Sequence, residues 1–227
     1  MKTIFKVLCL VGLALCVSFS VSAQKKAKPF AGMIKYSISF EGEIDAQTKS
    51  QLPTEVIMYI KDGKTRQDQV SPMYTMGAVT LEDGSVIILI EAMGQKMASK
   101  QSKEAIDKAK AEAEAEKEAE PTVNVVDESK TIAGYKCQKA EVTVGDETME
   151  VFFTEEIPMP DSYYENSPVK GVKGVPMEYS TNANGMTMVM TAKEVKKGGV
   201  NNSMFMITDD YQEIPWEQFM QMLGGGM

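Results

Sequence analysis

Residues 56–70 read VIMYIKDGKTRQDQV. The run Val56 to Lys61 is rich in β-branched and aromatic side chains, and it stops at Asp62-Gly63. Lys64 to Val70 then returns as a polar strand, so the whole stretch is a β-hairpin closed by an Asp-Gly turn. The same grammar repeats in both directions. Upstream, Ile34, Tyr36, Ile38 and Phe40 alternate with Lys35, Ser37 and Ser39, which places the four apolar side chains on one face of a strand. Downstream, Met73 to Leu81 and Ser85 to Glu91 flank Glu82-Asp83-Gly84, and a short Lys96 to Ser99 segment follows Gly94.

Lys136 to Val144 and Thr148 to Thr154 flank Gly145-Asp146, while Met177 to Thr181 and Met186 to Val195 flank Asn182-Ala-Asn-Gly185. Nine or ten strands joined this way, with no alternation of strand and helix, predict an antiparallel meander. The pattern breaks at residues 102–120, SKEAIDKAKAEAEAEKEAE, which lacks Gly and Pro and stops at Pro121. That composition predicts a helix, and with Ile106 as its one large apolar residue it is expected to be a solvated arm. Ile157 to Gly174 carries three prolines and reads as an irregular excursion, with one helical turn near Tyr163 and Tyr164. Ile214 to Leu223 reads as a short terminal helix. The expected class is all-β with an inserted helix.

The chain opens with Lys2 and Lys6, an apolar run from Val7 to Val17, and Val21-Ser22-Ala23 before Gln24. That order is the order of a cleavable signal peptide, residues 1–23, and its apolar run is too short, and ends too polar, for a spanning helix of roughly 20 residues. Leu15 before Cys16 is not the small residue a lipid-attachment site requires. The expected layout is a signal at 1–23, a mobile lead-in at 24–31, one β domain at 32–215 with its helical insertion, and a tail at 216–227. Export implies a periplasmic or secreted protein, with no transmembrane segment after cleavage.

Cleavage removes Lys2 and Lys6 from the 24 basic residues and none of the 32 acids, moving the formal charge from −8 to −10. With no clustered Lys/Arg face, such a surface repels phosphate backbones, and nucleic acid is excluded as a partner. Cys9 and Cys16 leave with the signal, and Cys137 alone cannot form an internal disulfide. The chain has no histidine. This removes the usual general base and the Ser–His, Cys–His and histidine–zinc constellations. No phosphate loop or dinucleotide fingerprint occurs, and adjacent acids such as Glu155-Glu156 point to opposite faces of a strand. No catalytic residue, cofactor or resident metal is expected, and the protein is read as non-enzymatic.

The positive signal is methionine: 18 residues, against 8 phenylalanines. Met186, Met188 and Met190 alternate with Thr187, Val189 and Thr191, so three thioethers share one strand face. Thioethers suit adaptable apolar surfaces and soft metals. Three readings follow: plain core, a pocket for a lipid or other apolar small molecule, and a copper(I) site. The candidate pocket joins Ile34, Tyr36, Ile38 and Phe40 to Met186, Met188 and Met190. The alternative is a structural or interaction protein of the cell envelope with a filled core and a protein partner.

Lys130-Thr-Ile-Ala-Gly-Tyr-Lys-Cys-Gln-Lys-Ala140 resembles the I-x-G-Y-x-C-x-K-A segment of exported bacterial proteins grouped as a domain of unknown function, the 4412 family. Val151-Phe-Phe-Thr-Glu-Glu-Ile157, Gly174-Val-Pro-Met177, Phe205-Met-Ile207 and Tyr211 continue that resemblance, which covers roughly residues 32 to 215. It implies a fold similar to LolA-type lipoprotein carriers. In those an antiparallel sheet curls into an open half-barrel whose concave apolar face holds acyl chains under a helical lid.

Overall fold

The computed structural model describes residues 28–42, 44–113, 120–160, 163–164, 167–183 and 186–222. The expected signal peptide, residues 24–27 of the lead-in and residues 114–119 of the inserted helix lie outside them. Twelve strands form one sheet: β1 Gly32–Phe40, β2 Glu55–Lys61, β3 Lys64–Val70, β4 Tyr74–Thr80, β5 Val86–Ala92, β6 Gln95–Gln101, β7 Thr122–Ile132, β8 Tyr135–Val144, β9 Glu147–Thr154, β10 Val175–Ala183, β11 Met186–Lys197 and β12 Gln212–Glu213. Among the described residues, helices α1 Ala46–Gln51, α2 Lys103–Ala113 and α3 Trp216–Met222 accompany them, and Tyr163 and Tyr164 are also helical.

The spatial order is β12-β6-β5-β4-β3-β2-β1-β11-β10-β9-β8-β7. Every pairing is antiparallel except the two-residue strand β12, which runs parallel to β6. The end strands β12 and β7 do not pair with each other, so the sheet is open. A bulge on β11 at Lys193, opposite Lys35 and Tyr36, and one on β10 between Pro176 and Glu178 help to curve it. Pro176 has no N–H for the ladder, and a bulge is where a sheet interior tolerates proline. Across the curve the Tyr36 hydroxyl donates to the Pro176 carbonyl at 3.0 Å, spanning β11. All-β with an inserted helix, built on an open curved antiparallel sheet, is therefore the observed class.

Two strand-level differences from the sequence reading stand out. Thr122–Ile132, which lacks clean alternation, is the long edge strand β7, bulged between Val125 and Ser129. The excursion after β9 is the cover of the concave face: Ile157, Met159, Tyr163, Val169 and Val172 are buried there with Val56, Val142, Val151 and Met177. Phe30 joins the same cluster, and its N–H donates to Pro158 O at 2.6 Å, so the chain is tied in ahead of β1.

Two smaller clusters complete the core. On the outer face, Phe205 packs on Val79, Ile87, Leu89 and Ala98, and it sits in a strap, residues 198–211, that crosses β2 to β6. At the far edge, Phe219 of α3 packs on Ile90 and Ile214. Among the described side chains of α2, Ile106 is half-buried and the others are exposed. Replacing residues 103–113 with a Gly/Ser linker of equal length is therefore expected to change stability by no more than about 1 kcal/mol. A cooperative urea transition close to that of the parent checks this, and loss of cooperativity would mean that α2 is structural. No described helix is long and apolar enough to cross a membrane.

Candidate functional site

The concave face is filled at one end and hollow at the other, and the candidate pocket residues divide along that line. Ile34 and Tyr36 are only 0 % and 2 % exposed and belong to the packed cluster with Ile157, Met159 and Val172. They are core, not pocket lining. The curl brings the excursion down onto the β1 positions nearest Gly32, and burial pushes the Tyr36 phenol well above its ordinary pKa. Two steps along the same strand face, Ile38 and Phe40 emerge from under the cover. They stand directly opposite Met190 and Met188 across the β1–β11 ladder. On the other side of β11, Tyr179 faces Met190, Thr181 faces Met188 and Ala183 pairs with Met186.

Ile38, Phe40, Tyr179, Thr181 and the three methionines line a cavity of about 360 Å³, together with Val56, Gln67, Gln69 and Pro168. Its volume lies in the range of small-molecule sites, and its polar lining is uncharged amide, hydroxyl and phenol. Burial raises the Tyr179 phenol far above its ordinary value, so it stays protonated. Met190 is buried at 5 % exposure, whereas Met186 and Met188 are only partly covered.

Beyond Ile38, Phe40, Leu52 and Pro53, which line both spaces, the cavity continues into a wider mouth of about 890 Å³. Ser39, Gly42, Ile44, Asp45, Lys49 and Thr54 line the mouth. Its roof is the β1–β2 connection, containing the short helix α1, in which no residue is buried. Asp45 starts that helix: its carboxylate accepts from Gln47 N at 3.0 Å, Thr48 N at 2.9 Å and Thr48 Oγ1 at 2.6 Å. Those bonds, the Thr48 hydroxyl first, hold its pKa below the usual carboxylate range.

The sequence reading missed this roof. The signal was present: Asp45 is a favoured N-cap residue, and Pro53 biases Leu52 away from helix, bounding a short turn between them. Among the described residues, the ionisable groups lining the two spaces are Asp45, Lys49 and Tyr179.

Residues 91–214 match the family described as N-glycanase peptide, N-terminal domain, which is more than half of the 227-residue chain. The chain belongs to this N-glycanase N-terminal domain family. The match takes in β10 and β11, with Tyr179 and the three methionines, while Ile38, Phe40 and the roof come from the segment before it. This match does not by itself confirm the resemblance to the 4412 family.

No curated protein matches the chain. Among solved structures, PNGF-II is similar at 17% identity and a TM-score of 0.48, over 86% of this chain and 33% of that one. The chain thus spans about a third of the PNGF-II chain's length. The Mycobacterium tuberculosis lipoprotein LppX is similar at 11% identity and a TM-score of 0.33, over 76% of this chain and 89% of that one. LprF from Mycobacterium bovis is similar at 9% identity and a TM-score of 0.34, over 76% and 88%.

Proposed function

We propose that this chain is a non-enzymatic, exported ligand-binding domain that takes an apolar chain, such as a lipid tail, into the hollow end of its curved sheet. The observation that carries the reading is the shared lining of Ile38, Phe40, Met186, Met188 and Met190, continuous with a wider mouth under a lightly anchored roof. Flexible thioethers adapt to chains of varied shape, and a concave apolar wall with a few uncharged polar groups is the usual form of such sites. The lack of histidine and the commitment of the Asp45 carboxylate to capping α1 favour binding over catalysis. Kinship to the 4412 family, read from Lys130 to Ala140, and a periplasmic or secreted location belong to the same proposal.

The test replaces Met186 and Met188 together with serine and leaves the buried Met190 in place. Uptake of a fluorescent fatty acid is expected to weaken at least tenfold, which corresponds to losing the burial of about one apolar side chain. Unchanged uptake would remove the groove from the function. Stoichiometric copper(I) binding that disappears in the same double variant would replace the lipid reading with a soft-metal one. Release of N-glycans from a denatured glycoprotein by the purified chain would overturn the non-enzymatic part.

A further inference from the structure

We propose that the groove selects an anionic amphiphile, with its apolar chain along Ile38, Met186 and Met188 and its charged head at the Lys49 ammonium in the mouth. This rests on the apolar-groove reading and adds a polarity and a sign to it. The two spaces share Ile38 and Phe40 as common walls, so one extended molecule can occupy both. They differ in character. The inner space carries thioethers and uncharged polar groups, and both charged lining groups, Asp45 and Lys49, sit in the mouth. A molecule matching both is therefore apolar at one end and polar at the other.

The sign of the head follows from what the two charges have left to offer. Asp45 already accepts three hydrogen bonds within the α1 cap, so its oxygens are largely spent on the protein. Lys49 lies in the last turn of α1, is exposed, and makes no ion pair among the described residues. An ammonium carries three donors and no acceptor, so it serves an anion. A cationic head would meet an engaged carboxylate and a repelling ammonium. The chemistry Lys49 recognises is shared by a free carboxylate and a lipid phosphate.

The experiment measures binding of hexadecanoate, hexadecyl phosphate and hexadecanol at low ionic strength, below their aggregation limits, to the parent and to Lys49→Ala. The parent is expected to prefer both anions over hexadecanol by about fivefold, as for an exposed charge pair, with the preference shrinking as salt is added. Lys49→Ala is expected to lose that preference, binding both anions no more tightly than it binds hexadecanol. The tighter of the two anions distinguishes a free fatty acid from a phosphate headgroup. Equal binding of hexadecanol and the anions by the parent, or an anion preference that survives in Lys49→Ala, overturns the headgroup assignment and leaves the groove intact. Failure of all three probes to bind the parent removes the groove reading itself, and this proposal with it.

Discussion

Arg66→Met is expected to cost about 3 to 5 kcal/mol of stability at neutral pH, the usual effect of breaking a buried ion pair from one side. Arg66 sits on the outer face of β3, where its Nε lies 2.7 Å from Asp68 Oδ1 and its Nη1 donates to Met204 O at 3.0 Å. Asp68 faces Gly77 across the β3–β4 ladder, and a Cβ on that glycine would stand 2.7 Å from the carboxylate, so the acid occupies the space a side chain at that position would need. Burial pushes the Asp68 carboxyl above its ordinary value even though the Arg66 hydrogen bond and charge pull it down. Methionine keeps the stem and removes both pulls. An uncompensated carboxylate is left behind, and the strap loses one of its ties.

The sign of the pH dependence follows. A folded pKa above the unfolded one means that the folded state holds the proton more tightly. Stability from this group is full below the ordinary carboxylate range and is lost as pH rises through the folded value. In Arg66→Met the folded value climbs further, so the loss is larger and extends to higher pH. The stability gap between variant and parent should therefore shrink as pH falls from about 7 toward 4, and adding Asp68→Asn to the variant should recover much of it at neutral pH. Urea midpoints of the three proteins across that range check both statements. A gap that does not change with pH would show that Asp68 is not its source.

How far the sequence spoke depended on whether the signal was local. Hairpins did not need the rest of the molecule: Asp62-Gly63, Gly84 and Gly145 all adopt the positive φ that their turns demand, and the strands on either side begin and end within one residue of the expected positions. Strand β7 was illegible because an edge strand with a bulge has little to bury. Val125 is exposed and Asp127 and Glu128 interrupt any alternation, so no period survives to be read. The pocket was half legible for a different reason. Alternation on β1 correctly put Ile34, Tyr36, Ile38 and Phe40 on one face, but it carries no information about where a cover from more than a hundred residues later would stop. Among its described residues the cover, residues 157–174, holds no strand and is helical only at Tyr163 and Tyr164, the turn expected there, so little beyond apolar residues set among prolines announces it.

That boundary between filled and hollow face sets up the second large effect. Ile157→Ala is expected to cost about 2 to 5 kcal/mol, because Ile157 is 1 % exposed and is wedged into the principal cluster with Val151, Val175 and Met177. The sheet around it is braced by ladders on both sides, so the space left by the side chain cannot collapse and stays as a cavity. Met188→Ala removes a side chain of similar size from the same concave surface, yet it should cost less than about 1 kcal/mol. Met188 is only partly covered and lines a space open to the mouth, so no sealed void forms and the area withdrawn from water is small. With typical domains held by about 5 to 15 kcal/mol, the first variant should show a urea midpoint shifted far down and the second one hardly moved. The comparison bears on function as well as stability. Were Met188→Ala to cost as much as Ile157→Ala, the hollow end would in fact be packed core in solution, and there would be no room for an apolar chain between Phe40, Met188 and the roof.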